Sequence, residues 1–319
     1  MACSPQHQNR LTLPIVKVRE LSAREIRQAL RGPGLRLATG PFRCSMRSDI
    51  AEVGPELARL YAEHELVDDN AFVDFYVSVT SSGGLRRWIR PQALFNVDEV
   101  APFTPLPRTQ AVAMLEWGLN WCVTAYCHHT LVLHAASVAR AGRAMILPAP
   151  PGSGKSTLCA ALVHRGWRLL SDELTLVDYD GSRLAGTTRP VNLKNESIDV
   201  IARFAPEAVL SRPMHDTSKG TVALMAPPPQ SVRAAAEPVA PAWVVLPRWR
   251  AGAPARLTPL EPGAAFMQLA ENAMNYHLLG ALGFESLGRL IDRCEAWQFE
   301  YGDLDEAIAT LDALERGTA

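Results

Sequence analysis

One run of the chain has the residue types for holding phosphate: Ala149-Pro150-Pro151-Gly152-Ser153-Gly154-Lys155-Ser156-Thr157. Small residues let a loop turn tightly, so that successive backbone N–H groups point at one anion. Lys155 adds a mobile positive charge for the β- and γ-phosphates, and the Ser156 hydroxyl is placed to ligate Mg²⁺. The first position of such loops is usually Gly; here it is Ala149. The apolar run Ala144 to Leu147 precedes the loop and a helical pattern, Leu158 to His164, follows it, so strand, loop and helix N-terminus stand in the order that anion binding needs.

A second group follows closely. Asp172 and Glu173 come only 17 positions after Lys155, across one short helix and one short strand. In an α/β sheet the ends of neighbouring strands open on a common crevice. The two acids therefore belong near the phosphates, where one can hold Mg²⁺ and the other can accept a proton from an attacking hydroxyl. The plainer alternative is that Ser171 and Asp172 only end a strand in a turn.

The chain around these residues has 319 residues, 48% of them hydrophobic, with a formal net charge of −1. That length predicts two domains: a small α+β domain over residues 1–105 and a P-loop α/β domain over 106–319. The charge balance gives no basic field for nucleic acid. The six cysteines form no CxxC pair and are read as reduced thiols in the cytoplasm. The polar segment Met1 to Arg10 is expected to be disordered and lacks the apolar core of a signal peptide. The most apolar helical stretch, Ala111 to Tyr126, carries Glu116 and Asn120 and is shorter than the roughly 20 residues of a membrane span.

Within the first domain, Ser22 and Glu25 fit a capping box. Residues 35–39 and 42–46 read as strands, 53–64 as a helix, and 71–80 as a strand returning through Ser81 to Gly84 over 85–90. No constellation there carries chemistry. In the second domain a helix is expected over 108–128, with Trp117, Trp121 and Tyr126 packing its core side. Strands are expected over 131–139, 143–147, 167–170, 174–179, 183–185, 221–226, 242–246 and 297–301, with helices over 262–280, 284–294 and 304–315. Residues 211–220 and 226–241 read as loops.

From Leu133 to Asp178 the chain resembles the catalytic domain of HPr kinase/phosphorylase. The residues that carry the resemblance are His134 before the P-loop strand, Gly152, Gly154, Lys155 and Ser156 in the loop, Arg165-Gly166 after the helix, and Leu169-Leu170 with Asp172-Glu173. Similarity to the HprK-related kinase A group extends through the segment Arg189 to Asn195, Lys219-Gly220 and Asn275-Tyr276, covering about two-thirds of the chain. The resemblance implies a fold like that of HPr kinase and phosphoenolpyruvate carboxykinase. It implies ATP and Mg²⁺ as cofactors and transfer of the γ-phosphoryl group to a hydroxyl of serine type, on a protein, a peptide or a small metabolite such as free serine.

In that reading Pro151 to Thr157 bind the nucleotide, Ser156 and Glu173 hold the metal, and Asp172 is the base. His134 orients the acid or the substrate. Arg189 and Lys194 approach the transferred group, and Lys219 closes over the phosphates. The downstream Glu-x-Arg of the family is replaced by Thr187-Thr188-Arg189, with Glu196 a candidate for the missing acid. HPr itself as acceptor, a phosphorylase activity and a homo-oligomeric state stay open. So do a non-catalytic ATP-sensing module and a plain ATPase.

Overall fold

A computed structural model describes residues 16–84, 89–150 and 152–318. The segment Met1 to Arg10, expected to be disordered, lies outside the described residues, as do Leu85 to Trp88 of the expected return strand and Pro151 of the P-loop. The described residues are mixed α/β, with ten α-helices and four sheets. None of their helices is long and apolar enough to cross a membrane.

The chain begins with α1 (Ala23–Arg31), whose N-terminus closes as predicted. The Ser22 hydroxyl accepts from the Glu25 N–H, and the Glu25 carboxylate accepts from the Ser22 N–H at 2.7 Å. Strands β1 (Leu35–Thr39) and β2 (Phe42–Ser48) form a hairpin. Helix α2 (Val53–Leu60) crosses over to β3 (Phe75–Ser81), parallel to β2. Strands β4 (Gln92–Val97) and β5 (Leu106–Pro107) complete a five-stranded sheet in sequence order. The strand that pairs with β3 is thus β4, later in the chain than the expected 85–90.

The face of this sheet is covered by α3 (Ala111–Tyr126). One apolar core runs from Val18 through the sheet and α3 to Leu174, Leu176, Met214, Val222 and Leu224, far along the chain. The N-terminal unit therefore does not own the core on which it rests. Contact is close enough that a Cβ on Gly40, in the β1–β2 turn at φ +59°, would lie 2.0 Å from the Gly186 carbonyl oxygen.

The chain continues through β6 (Leu131–Leu133), β7 (Ala135–Arg140), β8 (Arg143–Pro148) and α4 (Lys155–Val163). Then come β9 (Arg168–Ser171), β10 (Thr175–Val177), β11 (Leu184–Gly186), β12 (Val191–Lys194) and α5 (Glu196–Phe204). After these follow β13 (Met214–Thr217), β14 (Gly220–Met225), α6 (Pro229–Arg233), β15 (Ala240–Trp249) and β16 (Arg256–Pro259). The last elements are α7 (Pro262–Glu271), α8 (Tyr276–Leu279), α9 (Ala281–Ile291), β17 (Glu295–Tyr301) and α10 (Leu304–Arg316).

A six-stranded sheet in the order β16-β17-β15-β8-β7-β9 organises this part, with β8, β15 and β17 mutually parallel. Strands β8 and β9 are not neighbours, as the sequence had suggested. Strand β7 lies between them and is antiparallel to both. Strands β8 and β9 therefore run the same way, and the glycine loop before α4 and the acid pair leave the sheet at the same edge. Two smaller sheets, β11-β10-β6 and β12-β14-β13, flank this arrangement.

Three expectations are corrected. The apolar run 131–139 is two strands: Leu131 to Leu133 pair with β10, while Ala135 onward pairs with β8 and β9. The break is at His134, whose N–H donates to the Asn272 carbonyl at 2.7 Å. The helix expected over 262–280 breaks after Glu271, because Asn275 turns inward. Fully buried, it accepts from the Val132 N–H and donates to the carbonyls of Cys127 and Thr130. The loops expected over 211–220 and 226–241 contain β13 and α6, and α5, β5 and β16 arise in segments where no element was predicted.

Candidate phosphate and acid-pair site

The loop before α4 turns through two glycines at positive φ, Gly152 at +85° and Gly154 at +89°. Gly154 is the N-cap of α4, which has no side-chain cap. The first N–H groups of α4, from Lys155 to Thr157, therefore face out of the helix end with the positive pole of its dipole. The loop is held from behind: the Trp249 N–H donates to the Ser153 carbonyl at 2.9 Å and the Tyr301 hydroxyl to the Gly154 carbonyl at 3.2 Å. A Cβ at Gly154 would lie 2.5 Å from that hydroxyl oxygen, so glycine is required twice, for φ and for space.

The acid pair meets this loop. Ser156 Oγ donates to Asp172 Oδ2 at 3.2 Å, and the Asn192 N–H donates to the same oxygen at 3.0 Å. Asp172 Oδ1 is buried and has no protein partner. Burial, then the neighbouring Glu173 charge, pushes the Asp172 pKa above the usual carboxylate range, against Lys155 and the two hydrogen bonds. Asp172 rather than Glu173 thus stands beside the Ser156 hydroxyl.

Glu173 points elsewhere. Its carboxylate accepts from Asn120 Nδ2 on α3 and, at 3.4 Å, from Asn192 Nδ2. Burial works against its charge, but Lys219, Lys194, Lys155 and His134 outweigh it, and its pKa is lowered. Three lysines from three elements thus surround one carboxylate. Among the described residues none of the three forms an ion pair within 4.0 Å. Lys155 has its pKa lowered by burial, with Asp172 and Glu173 pulling the other way. His134 is held neutral, its pKa lowered to about 4 by burial and then by Lys155.

Arg189 is placed differently from the other predicted cations. It is 6% exposed, and its Nη1 lies 3.4 Å from Glu116 Oε2 while Nη2 donates to Asn120 Oδ1. Its charge is committed to α3. Glu196 opens α5 at an exposed position. The acid that lines the cavity around the pair, with Asn120, Ser171, Thr187 and Asn192, is Glu116. Sequence reading treated Glu116 only as a charge interrupting an apolar helix. The available signal was that a Glu and an Asn four residues apart share a helix face. Asn192 and Lys219 also belong to the site. Lys219 stands 5.0 Å from the Trp117 ring centroid, so Trp117 does more than pack the core. The backbone segments that follow Lys194 and Lys219 are joined: Asn195 Oδ1 accepts from the Thr221 N–H at 3.1 Å beside Gly220.

No group of three or more His, Cys, Asp and Glu residues suited to a metal occurs among the described residues. A divalent ion would therefore rest on Ser156 Oγ and Asp172 together with oxygens of its own ligand. The contact of Ser156 with Asp172 Oδ2 fits that role, and the buried Oδ1, without a protein partner, is left open beside it. No family model matches the chain, and no curated protein does.

Proposed function

We propose that this chain is an ATP-dependent kinase of the HPr kinase type that transfers the γ-phosphoryl group to a serine hydroxyl of a protein or peptide. The carrying observation is the contact of Ser156 at the helix N-terminus with a buried Asp172 whose second oxygen has no partner. It puts a metal-type hydroxyl, an acid able to take a proton and a phosphate-type lysine at one sheet edge. Five described cysteines, all unpaired, accord with a reducing compartment.

In this reading the N–H groups of Lys155, Ser156 and Thr157 and the Lys155 ammonium receive the β- and γ-phosphates. Mg²⁺ would be held by Ser156 and Asp172 Oδ2 and would supply neutralisation of phosphate charge. Asp172 Oδ1 accepts the proton of the acceptor hydroxyl as its oxygen bonds to the γ-phosphorus and the bond to the ADP oxygen breaks. A raised carboxylate pKa suits that transfer. Neutral His134 can hydrogen-bond the acceptor without adding charge. Glu173 keeps Lys194 and Lys219 turned toward the space that the transferred group crosses. Positioning and charge neutralisation carry most of such a reaction.

The test is transfer of label from γ-labelled ATP in extract of the source organism, with Lys155→Ala as control. A labelled protein or peptide seen only with the wild type supports the reading. Label on a small metabolite alone replaces the acceptor class. Free phosphate alone, with every fraction tried, makes the protein an ATPase. If Asp172→Asn keeps full biological activity while Lys155→Ala loses it, the chain is an ATP-sensing module.

A further inference from the structure

The N-terminal unit supplies none of the phosphate-binding or acidic groups above, yet two of its side chains reach their surroundings. Tyr61, at the C-cap of α2, is fully buried, and its hydroxyl donates to Glu116 Oε1 at 2.5 Å. Glu116 Oε2 then meets Arg189 Nη1, Arg189 Nη2 donates to Asn120 Oδ1, and Asn120 Nδ2 donates to Glu173 Oε2. The Asn120 amide works in one orientation only, with its oxygen toward the guanidinium and its nitrogen toward the carboxylate. Glu116 thus accepts from both Tyr61 and Arg189, and from Arg189 the donors run through Asn120 to Glu173.

A second arm starts three residues later. The His64 ring packs 4.7 Å from the Tyr61 ring, and its Nε2–H donates to the Thr188 carbonyl at 3.0 Å. Thr188 is buried with φ +43°, a backbone state that a β-branched residue holds only under constraint. The Thr188 N–H is tied to the Leu170 carbonyl at 2.8 Å, two residues before Asp172. One turn of the N-terminal unit thus fixes Arg189 through Glu116 and the Thr188 backbone directly.

We infer that Tyr61 and His64 are positioning residues for the acid pair, so that the N-terminal unit is part of the reaction machinery rather than a separate appendage. Its consequence for rate rests on the kinase reading above. The geometric part does not, because it concerns only where the Glu173 carboxylate and the 187–189 segment are held. Chains of buried hydrogen bonds reinforce one another, and a reacting group displaced by a fraction of an ångström is felt in rate before it is felt in binding.

The test is Tyr61→Phe, which removes one oxygen from a filled site, set against Leu57→Ala in the same helix, a buried residue outside the relay. Two quantities are read: kcat and KM for ATP, and the ¹H–¹⁵N signal of the Asn120 side-chain amide, assigned with Asn120→Ala. Tyr61→Phe is expected to shift the amide signal and to lower kcat about tenfold at unchanged KM. Leu57→Ala is expected to lower the melting temperature further while leaving both unmoved. In the background of Asn120→Ala, Tyr61→Phe should cost no further rate, since the link is already cut.

An unmoved amide signal in Tyr61→Phe, or an equal shift in Leu57→Ala, overturns the inference. So does full additivity of Tyr61→Phe with Asn120→Ala. Should Tyr61→Phe fail to fold, the same readings on His64→Gln decide through its own arm: an unaltered amide signal and rate there overturn it. A shifted amide signal in an enzyme that labels no acceptor would sink the kinase reading and leave the positioning role standing.

Discussion

Lys155 and Arg189 both stand in the surroundings of the same acid pair, and their charges are handled in opposite ways. Arg189 is paired with Glu116 and hydrogen-bonded to Asn120. Lys155 has no ion pair within 4.0 Å among the described residues, its pKa is lowered by burial, and the Asp172 oxygen in the same region lacks a partner. Burying a charge without a partner is costly, and folded proteins rarely do so without cause. The open groups therefore mark where a ligand completes the structure, and the satisfied ones mark what holds that place in shape. Arg189 and Lys194 were equivalent as sequence features; the pairing of Arg189 with α3 separates them.

The comparison can be broken first at its open end. Asp172→Asn is expected to lower phosphoryl transfer about 10³-fold, through loss of both a proton acceptor and a charged metal ligand. Because its burial already opposes its charge, the melting temperature should stay level or rise; a marked fall would place Asp172 among the structural groups instead. At the satisfied end, Arg189→Met is expected to destabilise the fold by ~3 kcal/mol, because it leaves Glu116 buried without its counter-charge. Denaturant titration of Arg189→Met and of the double variant Glu116→Gln/Arg189→Met checks this, the double variant recovering part of the loss.

The His64 arm sharpens the same contrast through pH. Burial lowers the His64 pKa from 6.5 to about 4, outweighing the Thr188 carbonyl, which acts in the opposite direction. Between these values the unfolded chain binds more protons than the folded one. The contribution is therefore complete above pH 6.5 and is lost progressively as pH falls towards 4, by up to ~3 kcal/mol. His64→Asn should flatten the stability profile over that window relative to wild type; a parallel profile would mean that His64 is not held neutral. The smallest effect is expected at Gly154→Ala, ~1–2 kcal/mol of stability from positive φ and the Tyr301 hydroxyl. Its nucleotide affinity should fall by more than that stability loss would suggest, as read by calorimetry with ATP-Mg²⁺.

Much of the site was legible before any fold was known. The glycines at 152 and 154, Lys155, Ser156 and the acids at 172 and 173 are close in the chain, which is why one crevice was expected for them, although the strand β7 that makes β8 and β9 run the same way was not foreseen. The capping box at Ser22 was legible for the same reason, since its partners are three residues apart. The division of labour between the acids was not legible. Adjacent residues leave a chain in different directions, and only the packed structure gives Asp172 to Ser156 and Glu173 to Asn120. The split of 131–139 at His134 was hidden too, because both halves have the composition of a buried strand and differ only in the sheet they join.

The sequence by itself determined the glycine turn before α4, the nearness of the two acids in the chain, the capping box that starts α1 and the mixed α/β character, because each depends on residues close to one another along the chain. Tertiary structure decided that Glu116 and Asn120 face the acid pair, that Arg189 is spent on α3, and that Tyr61 reaches Glu116 from 55 residues away. Those contacts are fixed by a shared apolar core running from Val18 to Leu224, and no local pattern of residues encodes which distant side chains a common core will bring together.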